Sequence, residues 1–590
     1  MATGTSWEVT AKAKQDSVLN LIPEKWRIPT PIPSASELRD VTRYIRKFLS
    51  PREIEITESD LVSLAQRTTN GQWTAVEVTE AFCHRAALAH QFVNCIHEIF
   101  FDAALEEAKR LDVYFTVHRK PLGLLHGIPI SLKDQFHVTG VETTMGYVGW
   151  VGTFQGQKGD PRRLVFESEL VKELRSAGAV LHCKTSVPAT LMCPQTANNI
   201  IDYTWNPKNR HLSSGGSSGG EGALIILRGS AGGFGTDIGG SVRVPAAFNG
   251  LYGIRPSAGR IPYEGAANSM DGQNSITSVV GPLATTPGGL KLLFKSVLSQ
   301  KPWLHDPLAI ELPWRDEAEQ EVLDLIKSSA AGKGQLSFGI MSSDDYIQPV
   351  PPVSRALRMM TATLLKLGHN ASKLAIILTN PCLVQLPLTN LSYQVIEWKP
   401  PSHQKALELA LAIYTLDGGA DAHYQFNLSG EPPMPELDIF LKESPGPQMN
   451  AQQIAAINVA KREYQKEYLE YWNSTSELTG TGRPVDGFFC PVAPFPAAQR
   501  GKANYAGYTV FVNLLDYGSI VIPVTIADKT VDTVDAGYDP LNDMDKAIHD
   551  EYDADIYDGA HVGLQLVGRR FQEERLIALA EYAGHAVRTA

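Results

Sequence analysis

The sequence predicts an α/β fold: one large sheet flanked by helices, preceded by a helical N-terminal portion. Three observations carry this reading. Apolar residues recur at helical spacing in several stretches of the 590-residue chain. Short β-branched runs alternate with those stretches, the order that layers helices over a sheet. No Gly-, Ser- or Pro-rich linker divides the sheet into independent units, and no internal repeat is evident.

The elements follow in order. Residues 1–55, rich in Pro and polar side chains (PEKWRIPTPIPSASELRD), are expected to form a mostly surface-running arm. From Thr57 the pattern is helical. Thr74-Ala-Val-Glu77 fits a capping box, in which the Thr and Glu side chains each satisfy an orphan N–H. Val78, Phe82, Ala86 and Ala89 then share one helical stripe, and Ala104, Leu105, Ala108 and Leu111 mark a second helix. Residues 1–100 read as an arm and helical region, 101–590 as the main domain. Gly127–Ser131 is a short apolar run. Residues 162–178 predict an amphipathic helix closed by Gly178, followed by the strand 179–183. A further helix–strand unit is expected at 355–367 and 395–398. Buried strands are expected at 519–525 and 563–568, and a closing helix at 571–587.

Residues 370–394 do not fit this alternation. They place 25 residues, unusually apolar for a loop, between a predicted helix and strand. Such connections are usually about 2–6 residues. The segment is expected to be an insertion, poorly ordered or loosely packed.

Composition excludes several classes. Hydrophobic residues make up 43% and charged residues 20%, as in globular proteins rather than disordered ones. A net charge of −11 with no basic block argues against nucleic acid as a main partner. Six scattered cysteines without paired spacing form neither a disulfide framework nor a zinc site, so free thiols in a reducing compartment are expected. The first residues lack the apolar core of a secretory signal, and the chain ends in no peroxisomal address. No apolar run reaches the roughly 18–20 residues of a membrane span, which leaves the cytoplasm as the default.

The chemistry concentrates in residues 213–241, SSGGSSGGEGALIILRGSAGGFGTDIGGS, where 17 of 29 positions are Gly or Ser. Such a stretch buries little apolar surface and costs entropy to order, so packing alone does not explain it. A phosphate-binding loop lacks its Gly-Lys-Ser/Thr. A flexible linker is at odds with the apolar Ala223–Leu227. A third reading is a nucleophile loop, whose glycine-flanked N–H groups face a developing oxyanion.

Gly216-Ser-Ser-Gly-Gly-Glu-Gly222 followed by Gly235-Thr-Asp-Ile-Gly-Gly-Ser-Val-Arg243 resembles the signature of the amidase signature family. Gly127-Ile-Pro-Ile-Ser-Leu-Lys-Asp134 is similar to that family's lysine motif. Met145–Trp150, Ala246–Pro256 and Val395–His403 are most similar to the fungal acetamidase-type branch. The likeness runs from about residue 50 to the end, and residues 370–394 depart from it. It implies the amidase signature fold, a large mixed sheet covered on both faces by helices. It also implies a Ser–Ser–Lys triad: Ser241 as nucleophile, Ser217, preceded by a cis peptide bond, as proton relay, and Lys133 as base. A lysine is a base only when neutral, and burial favours that state. The N–H groups of Ile238, Gly239, Gly240 and Ser241 are expected to form the oxyanion hole, with Ser218, Asp237 and Arg243 in support. The proton path runs from Ser241 through Ser217 to Lys133 and back to the leaving nitrogen, and an acyl-enzyme is then hydrolysed. No metal or cofactor is expected.

Other residues compete for these roles. Lys184 rivals Lys133 as base. His126 and His137 bracket the lysine motif, but the G-x-S-x-G elbow of a Ser-His-Asp hydrolase is absent at Ser241. Cys183, Cys193 and Cys490 read as packing residues. Tyr147, Trp150, Met192 and Trp205 are weak pocket candidates, which core packing explains equally well. The expected activity is hydrolysis of small carboxamides, and of carbamates, by a cytoplasmic enzyme acting alone or as a homodimer. Two alternatives stay open: an amidotransferase subunit working with partners on misacylated tRNA, and a catalytically inactive scaffold.

Overall fold

The computed structural model describes residues 6–330, 336–367, 396–438, 440–502 and 505–589. Its centre is a mixed sheet of eleven strands: β1 (Ile96–Ile99), β2 (Ile128–Lys133), β3 (Ala179–Thr185), β4 (Gly232–Asp237), β5 (Tyr252–Arg255), β6 (Val279–Ala284), β7 (Phe338–Ile340), β8 (Ile396–Glu397), β9 (Gly487–Pro491), β10 (Ser519–Ile526) and β11 (His561–Val567). Their spatial order is β1-β3-β2-β4-β6-β5-β10-β11-β9-β7-β8. The pairs β3–β2, β2–β4, β9–β7 and β7–β8 are parallel; the others are antiparallel.

Strands buried on both faces need apolar residues at successive positions, and β10 (SIVIPVTI) has them. Alternation along β10 puts helices on opposite faces. Val521 and Ala247, from the helix Arg243–Phe248, both pack at Gly563, whereas Ile522 abuts Gly584 in the helix Glu573–Thr589. This is the two-faced helical cover expected of the fold.

Most predicted elements are present, with shifted ends. The helix expected at 355–367 runs Pro351–Lys366, and the closing helix runs Glu573–Thr589. The helix Ala75–Val93 begins where expected, but its capping box is half made. Thr74 accepts from the Glu77 N–H at 3.1 Å, while the Glu77 carboxylate pairs with Arg52 at 2.9 Å. The helix expected at 162–178 is only Glu169–Ser176. Its predicted first turns are instead a surface turn, in which Asp160 accepts from the Arg162 N–H and guanidinium.

The N-terminal arm differs more. Ser6–Asn20 is a helix, and Val18, Ile22, Trp26, Val41 and Ile45 are buried against Ala87, Leu88 and Phe92. Lys14 pairs with Glu98 at 2.6 Å and Glu142 at 3.0 Å, its side chain only 8% exposed. Polar composition suggested a solvated arm, but one apolar residue per turn and a compensated lysine suffice to dock it. The expectation for residues 370–394 falls outside the described residues. Among the described residues, no helix is long and apolar enough to cross a membrane.

Candidate active site

Three neighbouring segments build the site. β2 carries Lys133 at its end, and β4 lies parallel beside it, with Leu132 opposite Phe234. The helix Gly219–Ile226 starts directly after Ser217-Ser218 and lies on β4. Two glycines of β4 permit this approach. A Cβ on Gly233 would stand 1.9 Å from Glu221 Oε2, and one on Gly235 2.4 Å from Ser218 Oγ. Much of the Gly-rich composition is thus a requirement for close contact.

Lys133 is fully buried. Its Nζ lies 2.8 Å from Ser217 Oγ and donates to Thr236 Oγ1 at 2.7 Å. Thr236 Oγ1 in turn donates to Gln135 Oε1 at 2.7 Å. Burial pushes the lysine down to about 7, outweighing the nearby carboxylic groups of Asp237 and Glu221. Glu221 is itself pushed up to about 8 by burial, even though the Ser131 and Thr185 hydroxyls bond to it. At neutral pH it therefore adds little negative charge that would hold the proton on Lys133.

The Gly216–Ser217 peptide bond is cis. The Ser218 N–H donates to the Ser241 carbonyl at 3.1 Å, which ties the Ser217-Ser218 segment to the Ser241 loop. Ser218 Oγ sits 3.4 Å from both the Thr236 N–H and carbonyl, so it orients the strand end. Among the described residues no hydrogen bond joins the Ser241 and Ser217 hydroxyls; catalytic contacts commonly tighten only around substrate.

The loop bearing Ser241 is held from below by Asp237. Its carboxylate accepts from the Gly240 N–H at 2.8 Å and the Val242 N–H at 3.1 Å. It also pairs with Arg243 at 3.0 Å, both side chains fully buried. This ion pair, with Asn513 donating at 2.9 Å, holds the carboxyl far below the usual carboxylate range. The Gly240 N–H, one of the four expected at the oxyanion hole, thus donates to Asp237. Among the described residues, the N–H groups of Ile238, Gly239 and Ser241 have no acceptor within the chain. From above, Thr509 Oγ1 donates to the Gly239 carbonyl at 2.6 Å and Tyr414 OH to the Ile238 carbonyl. Gly240 has φ +130°, and a Cβ there would strike Thr509.

Ser241 lines a cavity of ≈ 50 Å³ with Met192, Phe248, Phe495, Tyr505 and Val510. Of the four pocket candidates only Met192 is there. Tyr147 and Trp150 are core residues, packed on each other and, through Tyr147, on Phe426. Trp205 packs on Tyr203 and borders a different cavity beside Arg210 and Arg500. None of these three rings lines the cavity of Ser241, although Trp205 pairs with Ser213 at the start of the Gly/Ser tract.

The rivals to Lys133 and Ser241 are otherwise engaged. Lys184 is salt-bridged to Asp134 at 2.9 Å and also donates to the Glu142 carbonyl and Thr143. His126 accepts from the Leu122 N–H, and His137 bonds Gln155. Cys183, Cys193 and Cys490 are buried, which raises their thiols above the ordinary range. Sequence reasoning missed Thr236, Tyr414 and Thr509. Thr236 stood inside the quoted motif; the other two had no local signal.

Residues 77–386 and 382–577 match the family model described as Amidase. The two stretches meet within 370–394. The chain is 44% identical to "Acetamidase" of Aspergillus oryzae and 41% identical to "Acetamidase" of Emericella nidulans, each over 98% of both chains. Among solved structures it resembles "Fatty acid amide hydrolase", with TM-score 0.85, 30% identity, and coverage of 98% of this chain and 95% of that one. The chain therefore belongs to the amidase family, hydrolases of C–N amide bonds.

Proposed function

We propose that this protein hydrolyses small carboxamides to a carboxylate and ammonia, with Ser241 as nucleophile, Ser217 as relay and Lys133 as base. The observation that carries the reading is the buried Lys133 held 2.8 Å from Ser217 beside the loop of Ser241. Ser241 Oγ attacks the carbonyl carbon, and its proton passes through Ser217 to Lys133. The oxyanion is met by the N–H groups of Ile238, Gly239 and Ser241, with Gly240 beside them. Lys133 returns the proton through Ser217 to the nitrogen, the C–N bond breaks, and ammonia leaves. Water, deprotonated along the same path, then releases the acid.

The cavity that Ser241 lines is walled mainly by aromatic and aliphatic side chains, which suits the apolar acyl portion of a small amide. Carbamates of similar size present the same carbonyl. Five buried free cysteines among the described residues fit a reducing, cytoplasmic setting. Ammonia release from acetamide by the purified protein alone tests the reading. Activity only with added partner subunits would favour an amidotransferase role, and a folded but inert protein would favour a scaffold.

A further inference from the structure

Outside the lining of the Ser241 cavity, three side chains with metal-binding chemistry meet. One carboxylate oxygen each of Glu169 and Glu173 and one ring nitrogen of His305 lie within 4.8 Å of one another. Glu169 and Glu173 stand four positions apart in the helix Glu169–Ser176, so they share one face. His305 directly follows the short helical turn Pro302–Leu304.

The backbone holds these segments in one frame. The Glu169 N–H donates to the Glu264 carbonyl at 3.1 Å, and Ser168 Oγ donates to the Gly265 carbonyl at 2.7 Å. On the other flank, Asp306 Oδ2 accepts from the Tyr263 N–H at 2.7 Å and the Glu264 N–H at 3.1 Å. The two glutamates and the histidine are thus anchored to the same loop, residues 263–265.

The cluster lacks positive charge. Glu169 and Glu173 are 6% and 3% exposed, and Glu173 Oε1 is buried with no hydrogen-bond partner among the described residues. A buried carboxylate oxygen left in that state is costly. Lys172 pairs with Glu169 Oε2 at 2.9 Å, but its side chain is 54% exposed and free to swing into water. His305 is exposed, so it closes the cluster on the solvent side, where an ion enters.

We infer that Glu169, Glu173 and His305 bind one divalent transition-metal ion, with Zn²⁺ the best match, which staples the helix Glu169–Ser176 to the segment after Pro302–Leu304. Zn²⁺ takes imidazole nitrogen and carboxylate oxygen together and leaves a fourth position to water, whereas Ca²⁺ and Mg²⁺ favour oxygen alone. Ligand atoms about 2.0–2.2 Å from a tetrahedral Zn²⁺ stand roughly 3.4 Å apart, a closure that the exposed His305 ring can make. The role is structural, and the inference does not depend on the amidohydrolase reading.

The test is calorimetric titration with Zn²⁺ of the full-length, tag-free protein after chelator treatment, beside Glu173→Gln and His305→Ala. The wild-type protein is expected to show saturable binding at a site that each variant weakens at least about tenfold, a loss seen even when only a ligand's outer partner is removed. Excess Zn²⁺ should raise the Tm of the wild type by about 2 °C or more and leave that of His305→Ala unchanged, since an ion held only by the folded state stabilises it. His305→Ala alters an exposed side chain, so the test stands even where Glu173→Gln fails to fold. No saturable Zn²⁺ binding by the folded wild type, or a loss under tenfold in His305→Ala, would overturn the inference.

Discussion

Lys133 Nζ lies 2.8 Å from Ser217 Oγ, inside protein that excludes water from both side chains. When charged, the lysine donates to that hydroxyl; when neutral, it accepts from it. Burial sets the balance between these states near pH 7. One contact thus supports proton transfer in both directions at physiological pH.

The first prediction concerns pH. In the proposed mechanism Lys133 must be neutral to act, so kcat/KM for acetamide should rise from pH 6 through about 7 and level off above 8. The expected slope is close to tenfold per unit on the acid limb. Initial rates across pH 5.5–9 check this, and a flat or falling profile contradicts it.

The second concerns the buried pair Asp237–Arg243. Arg243→Met leaves the Asp237 carboxylate without its cation, and removing one member of a buried pair typically costs about 3–5 kcal/mol. Urea unfolding should show a loss of that size, with activity lost as the Gly240 and Val242 N–H groups come free. A loss below about 1 kcal/mol would mean that the loop does not depend on the pair.

A third prediction concerns Thr509, which donates to the Gly239 carbonyl and so fixes the orientation of that peptide. Thr509→Val should lower kcat for acetamide about tenfold or more, with little change in KM, because donor aim matters most in the transition state. Steady-state kinetics separate the two constants, and an effect confined to KM would contradict a role in positioning the loop.

The fourth concerns Lys14, which neutralises Glu98 and Glu142 in the docked arm. Desolvation already pushes Glu98 up to about 7 despite the lysine. Lys14→Met should destabilise the fold by roughly 3–5 kcal/mol at pH 8. The loss should shrink below pH 7, where Glu98 takes up a proton. Urea unfolding at the two pH values measures this, and an equal loss at both would contradict it.

The order of strands and helices was legible because apolar runs such as SIVIPVTI have few alternatives to a buried strand. Ser217 and Ser241 stood out in a tract whose composition core packing does not explain, and Lys133 in a motif singled out by its resemblance to a family; Gly233 and Gly235 give a physical reason for the tract's composition. Other parts were hidden. Tyr414 and Thr509 come from helices 176 and 270 positions away from the carbonyls they hold, and no local pattern reports such a contact. The commitment of the Gly240 N–H to Asp237 depends on how a six-residue turn closes. Tyr147 and Trp150 misled because closeness in sequence to a motif says nothing about which side of the backbone faces the substrate.

The most direct measurement is the rate of covalent labelling by a small fluorophosphonate as a function of pH, with the adduct located by mass spectrometry. The relay predicts a single adduct on Ser241, none in Ser241→Ala, and a rate that rises through about pH 7 and loses that rise in Lys133→Met. An adduct on another residue, or an unchanged profile in the lysine variant, would contradict it.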